Sequence, residues 1–205
     1  MKRVGVLISG RGSNLQALID AERNGELAGG RIAVVISNVE TAFGLERARQ
    51  AGITALFRSH RGRRREEYDA EIVALLEEHG VDLVCLAGFM RLLSPVLVRA
   101  FPNRILNIHP ALLPAFPGLE AQRQAVEHGV KVSGATVHLV DEGLDSGPIV
   151  VQEAVPVQDT DDPETLAHRI LEVEHRIYPR AVRLLLASRY RIEGRRFIVE
   201  EEQGQ

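Results

Sequence analysis

Asn107 and His109 stand two residues apart at the end of the apolar run RILNIH, directly before PALLPAFPG. Residues two apart on a strand share a face, so an amide and an imidazole project together. An amide N–H can stabilise a developing oxyanion, and an imidazole can do the same or move a proton. Pro110, Pro114 and Pro117 follow within eight residues. Each fixes φ and removes a backbone donor. The stretch is therefore neither helix nor central strand, but a stiff loop that holds the pair in one position. The competing reading is a packed histidine beside a satisfied amide.

Two further stretches carry chemical potential. In DEGLDSGP (141–148) the glycines mark a flexible loop. A carboxylate such as Asp145 could orient His109 and favour its imidazolium. On the residues alone, the plainer reading is a hairpin turn with solvated acids. In SGRGSNLQAL (9–18), Gly10 and Gly12 permit close backbone approach. Ser13 or Asn14 is expected to cap the helix that follows, whose free amides and dipole suit a phosphate. It is not a Walker A loop, because no Gly-Lys-Ser/Thr follows. It is not a full dinucleotide fingerprint, because Leu15 replaces the third glycine. Such turns also serve packing, so both readings stand. Cys85, the one cysteine, lies within VDLVCLAGF and reads as an inert core thiol.

The elements that must position these groups follow from apolar periodicity. Residues 3–9, 31–38, 54–57, 81–88 and 104–109 read as short buried strands. Helical patterns over 13–25, 42–52 and 65–80 alternate with them, and a helix begins at Ser94 as cap and Pro95 as first helical residue. This alternation predicts an α/β fold: an open, mostly parallel twisted sheet with helices on both faces. VSGATVHLVD and PIVVQEAVPV, either side of EGLDSG, predict an antiparallel pair that closes the carboxyl-terminal edge. Residues 161–188 predict a long helix bent near Pro179, and the tail a small hairpin with a frayed end. In such sheets ligands bind beyond the carboxyl ends of the strands, at the switch in strand order. All three stretches fall near those ends.

The 205 residues, 45% of them hydrophobic, suit one domain over 1–205, with a nucleotide-phosphate half near 1–100 and a catalytic half near 101–190. A net charge of −3 gives no global attraction to nucleic acid or anionic membrane. The apolar run at the amino terminus is too short for a signal peptide, and none approaches a membrane span. A lone cysteine suits a reducing cytoplasm.

The quoted motifs, together with AFGLERARQAGI, LAGFMRLLS, GATVHLVDEGLDSGPIV and EVEHRIYP, carry a resemblance. The sequence resembles the folate-dependent glycinamide ribonucleotide formyltransferases over nearly its whole length. HPALLPAFPG marks the wider formyltransferase fold, which methionyl-tRNA formyltransferases and formyltetrahydrofolate deformylases share. SGRGSNLQAL is the narrower signal. The resemblance implies that Asn107, His109 and Asp145 form the catalytic trio. It implies that Gly12, Ser13, Asn14 and Glu174 hold the ribonucleotide. It assigns Arg65, Met90, Arg91, Leu92, Leu93, Asn107 and Asp141 to the folate, with Thr136 and His138 lining the same region. Leu113–Pro114 is the expected site of a cis peptide. Leu171 stands where some relatives place a lysine or glutamine, so one polar contact to the ribonucleotide is not expected here, and the phosphate charge is left to the loop amides, the helix dipole or Arg11.

The implied reaction moves a formyl group from 10-formyltetrahydrofolate, as co-substrate, to the amine of glycinamide ribonucleotide. No metal is implied. Asp145 is expected to keep His109 protonated. The expected setting is a cytoplasmic monomer or homodimer acting on small molecules, without nucleic-acid or membrane partners. Three rivals differ in chemistry: a deformylase that uses water, a metal hydrolase built from His109, His138 and Asp145, and a non-catalytic nucleotide-binding module.

Overall fold

The computed structural model describes residues 1–200. The apolar runs of the first half become β1 (Arg3–Ile8), β2 (Arg31–Ser37), β3 (Thr54–Phe57), β4 (Leu83–Leu86) and β5 (Ile105–His109). They pair in parallel in the order β3-β2-β1-β4-β5. The chain steps outward from β1 to β3, then returns to lay β4 on the other side of β1. That reversal opens a crevice at the carboxyl ends of β1 and β4. β6 (Val132–Leu139) then runs antiparallel to β5, and β7 (Ile149–Pro156) antiparallel to β6.

Helices cover both faces. α1 (Ser13–Arg23), α2 (Phe43–Gln50), α5 (Ala121–Glu127) and α6 (Pro163–Ala187) bury residues such as Leu15, Leu45, Ala125 and Ile170 against one face. α3 (Arg65–Glu78) and α4 (Pro95–Ala100) bury Tyr68, Ile72 and Leu97 against the other. The strands divide between the two cores by simple alternation. Leu106 and Ile108 join the first core and Ile105 the second. The same parity sends Asn107 and His109 to the side of α3 and α4. Among the described residues, no helix is long and apolar enough to cross a membrane.

Several expectations change in detail. Neither Ser13 nor Asn14 caps α1. Gly12 holds the cap position with φ 71°, and no side chain bonds the helix start. A side chain there would be strained at that φ, and its Cβ would lie 2.7 Å from Gly44 Cα. Ser94 does occupy the cap of α4 with Pro95 at the first helical position, but its hydroxyl makes no capping bond. The short α5 was not anticipated; its cap, Glu120, adopts a left-handed φ of 56° that no sequence signal marks. β7 does not end the sheet. β8 (Tyr190–Glu193) and β9 (Arg196–Val199) form the expected hairpin, and β9 joins β7 through the single pair Ile149–Arg196. α6 runs unbroken through Pro179. It starts at a capping box in which Asp162 and Thr165 bond reciprocally. The expected frayed end, 201–205, lies outside the described residues. Leu113–Pro114 is cis.

α6 is fastened to the sheet at Tyr178. The ring is fully buried, and its hydroxyl lies 2.9 Å from the Leu86 carbonyl and 3.2 Å from that of Leu106. One hydroxyl thus serves the last residue of β4 and the second of β5 together. Tyr178→Phe keeps the packing but strands these polar groups. It should cost about 1–2 kcal/mol, read as a lower urea midpoint with an unchanged slope.

Candidate active site

The site is built where β5, β6 and the 141–148 loop meet. Pairing of β5 with β6 sets Asn107 opposite His138 and His109 opposite Thr136. Cross-strand partners share a face, so one imidazole from each strand projects from the same side of the sheet. His109 is 4% exposed and His138 2%. Asn107 Nδ2 lies 3.2 Å from His138 Nε2, and His138 Nδ1 lies 3.0 Å from the Leu139 carbonyl.

Asp145 reaches both rings. Its Oδ2 is 3.4 Å from His109 Nδ1, and its Oδ1 is 3.6 Å from His138 Nε2. The Gly118 amide donates to Oδ2 at 2.8 Å and ties the loop to the proline segment. Asp145 has φ 48°, a left-handed conformation that Asp tolerates better than most residues. The loop is therefore more than a turn with solvated acids. Asp145 is mostly buried and aimed inward, whereas Asp141 stays exposed. Asp141 Oδ1 accepts from Gly143 N and Ser146 Oγ and so braces the loop from within.

His109 departs from expectation. Its Nε2 is 2.8 Å from the Phe116 carbonyl, so both ring nitrogens face acceptors, a geometry that suits an imidazolium. Burial opposes that charge and is the largest influence. The Phe116 carbonyl and Asp145 favour the charge, and His138 disfavours it. The balance holds the ring below its ordinary value of 6.5, so His109 is chiefly neutral at pH 7. The expectation that Asp145 keeps it protonated is corrected. Asp145 itself is held below the usual carboxylate range. Burial pushes it up, but the His138 contact, the Gly118 amide and the imidazole field outweigh that push.

A lattice of polar bonds fixes the proline segment beneath the rings. Thr136 Oγ1 donates to Ala111 O at 2.6 Å and accepts from Leu113 N at 3.1 Å. Gln152 Nε2 bonds Leu113 O and Thr136 Oγ1. Gln152 was not anticipated. Its place on β7 opposite Thr136 is legible only once the strand register is known.

At the start of α1, the amides of Ser13, Asn14 and Leu15 precede the first helical bond, from Gln16 N to Gly12 O. They form the anion-facing end of a helix. Asn14 reaches across to α6, where its Nδ2 donates to Glu174 Oε2 at 2.7 Å. Burial holds the Glu174 carboxyl above the usual range, and the Asn14 bond pulls it down only in part. A cleft of about 810 Å³ opens beside this pair, walled by Ser13, Gln16, His175 and Arg176. Arg65 is the first residue of α3, exposed and without a hydrogen bond or ion pair among the described residues. Met90 to Leu93 cross from β4 toward α4, with Met90 and Leu92 exposed. Cys85 is fully buried, and its thiol is pushed up to about 12 by that burial, as befits a core residue.

The donor geometry does not suit a metal. His109 and His138 direct their nitrogens at Phe116 O, Leu139 O, Asn107 and Asp145 rather than at a common open point. No group of three His, Cys, Asp or Glu among the described residues is arranged to hold an ion.

The lowered His109 makes stability depend on pH. Unfolded, the ring takes its proton near pH 6.5; folded, it resists until lower pH. Its contribution is therefore full above 6.5 and lost as pH falls from there toward the folded value. Urea unfolding at pH 8 and 5.5 should show lower stability in acid, and His109→Asn should lose less over that interval. Equal losses would show that His109 does not carry the effect.

The formyl transferase family profile matches residues 2–182. The phosphoribosylglycinamide formyltransferase of Escherichia coli is 48% identical over 175 residues, which is 85% of this chain and 82% of that protein. The trifunctional purine biosynthetic protein adenosine-3 of Drosophila melanogaster is 54% identical over 187 residues, 90% of this chain; the chain spans only 14% of that relative's length. The crystal structure of glycinamide ribonucleotide transformylase 1 from Symbiobacterium toebii superposes with a TM-score of 0.96 at 58% identity, covering 98% of this chain and 95% of that one. With profile, sequence and fold in agreement over nearly the whole length, the chain belongs to the formyl transferase family.

Proposed function

We propose that the chain transfers the formyl group of 10-formyltetrahydrofolate to the amine of glycinamide ribonucleotide. The observation that carries this reading is the convergence of Asn107, His109 and Asp145 in a family member whose relatives bear that activity in their names. The helix-start amides of Ser13, Asn14 and Leu15 suit the ribonucleotide phosphate, and Glu174 suits a further contact to the same substrate. Arg65 offers an unpaired donor fork to the glutamate carboxylates of the folate.

The amine nitrogen bonds to the formyl carbon, and negative charge develops on the formyl oxygen. Asn107 supplies an N–H to that oxygen. Neutral His109 accepts the proton that the amine sheds and returns it to the departing folate nitrogen as the old carbon–nitrogen bond breaks. Asp145 and the Phe116 carbonyl stabilise the imidazolium in passing. They act on the transition state more than on the resting state, which lowers the barrier. The 3.4 Å gap from His109 to Asp145 exceeds a charge-assisted bond of about 2.8 Å and shortens once the ring is charged.

Purified protein incubated with 10-formyltetrahydrofolate should release tetrahydrofolate only when glycinamide ribonucleotide is added, with the formyl group recovered on the ribonucleotide. Formate release without the acceptor would favour hydrolysis instead. Asp145→Asn preserves shape at a left-handed position that Asn tolerates. It should lower kcat about 10²–10³-fold, with both KM values nearly unchanged. Arg65→Ala should raise KM for the folate and leave that for the ribonucleotide alone. A folate analogue lacking the glutamate should bind both proteins alike, and continued discrimination by the variant would reassign Arg65.

A further inference from the structure

Between β4 and α4 the chain crosses the mouth of the crevice as Gly88–Ser94, and three bonds of different kinds hold it there. The Met90 amide donates to Ser9 Oγ at 2.8 Å, and that hydroxyl donates to Asn38 Oδ1 at 2.6 Å. The Arg91 guanidinium lies 4.8 Å above the ring of Tyr68. The Ser94 amide donates to Asp69 Oδ2. Between these anchors the side chains alternate. Phe89 is buried and Arg91 half-buried, whereas Met90 is 71% exposed and Leu92 60%. The main chain of the segment is thus pinned from below while its outer edge stays open.

Asp69 is the unusual member. It is 1% exposed, on the face of α3 that packs against α4. Burying a carboxylate is costly, and an apolar residue of similar size would join the two helices without that cost. What Asp69 contributes is directional: an acceptor for one main-chain N–H at the far end of the segment. Ser94 caps α4, so its amide has no helical partner and is available for this bond. Tyr68 Oη, Asp69 Oδ1, Arg91 Nε and Ser94 Oγ are buried polar atoms without a hydrogen-bond partner among the described residues.

We propose that Asp69 is a positioning residue for the folate. It acts through the Ser94 amide, seconded by the Tyr68–Arg91 stack, to hold the main chain of Met90–Leu93 in its recognition geometry. The inference rests on the proposed assignment of Met90–Leu93 to the folate. Asp69 touches neither substrate, so its effect falls on one KM and not on the chemistry.

The test is a set of variants in the full chain. Asp69→Leu removes the acceptor and should raise KM for 10-formyltetrahydrofolate about tenfold or more, the scale of a lost hydrogen bond to a charged group. KM for the ribonucleotide should stay within about twofold. Asp69→Asn keeps a carbonyl acceptor and should recover most of the loss. Ser94→Pro removes the same bond from the donor side at φ −83° and ψ 163°, which suit proline. It stands in if Asp69→Leu does not fold, and should show the same one-sided rise. Hydrogen exchange separates this inference from its premise. In the wild type, added tetrahydrofolate should protect the amides of Met90–Leu93, and in Asp69→Leu the same amides should exchange faster without it. Failure of protection in the wild type would overturn the folate assignment and this inference together. Protection combined with an unchanged KM in Asp69→Leu, an equal rise in both KM values, or no recovery in Asp69→Asn would overturn this inference alone.

Discussion

The register of β6 against β5 is the constraint on which the site depends. The parallel strand β5 brings Asn107 and His109 to the crevice. The antiparallel sixth brings a second row of side chains back across the same mouth, with His138 beside Asn107 and Thr136 beside His109. A shift of one residue would turn both β6 groups into the opposite core. That slip is opposed by Ala135, Val137 and Leu139, which are buried against the α6 side. Apolar packing on one face therefore sets the geometry of polar chemistry on the other. Gly134 belongs to the same device: a Cβ there would run into the backbone of β7 at Glu153 and Ala154.

Burial and charge compete at His109, and burial wins in the resting protein. The ring has acceptors at both nitrogens, an arrangement suited to a charge that its burial opposes. This differs from a permanently charged imidazole, which would attract oxyanions but could not take up a proton. In the proposed transfer the surroundings supply the reversible form. Left-handed backbone at Phe116 and Asp145 turns a carbonyl and a carboxylate toward the ring, at a conformational cost of about 1 kcal/mol or more each. Strain of this sort collects where geometry serves chemistry rather than stability.

The strands were legible because buried parallel strands write themselves as short apolar runs, and β1 to β5 fall within two residues of the expected bounds. The pair Asn107 and His109 was legible from spacing, and Asp145 from its family motif. Other features had no local signal. α5 starts from a left-handed Glu120, against the usual cap chemistry. The start of α1 misled because Ser13 and Asn14 are good capping residues; close approach to Gly44 placed Gly12 at the cap, and Glu174, distant in sequence, took the Asn14 side chain. The protonation of His109 could not be read either, since depth of burial belongs to the folded molecule. Gln152 and Asp69 act through partners fixed only by register and helix packing.

The meeting of Gly12 with Gly44 limits how the protein can vary. Each is already the smallest residue, so enlargement at one position cannot be answered by reduction at the other. The two helix starts are locked into a joint that no single substitution, and no compensating pair, can widen without parting α1 from α2. Variation in this region must instead pass through rim residues such as Arg11 and Arg47, whose contact runs from Arg47 Nε to the Arg11 carbonyl. Any redesign of this helix joint for a different ligand would therefore begin with the arginines and leave both glycines in place.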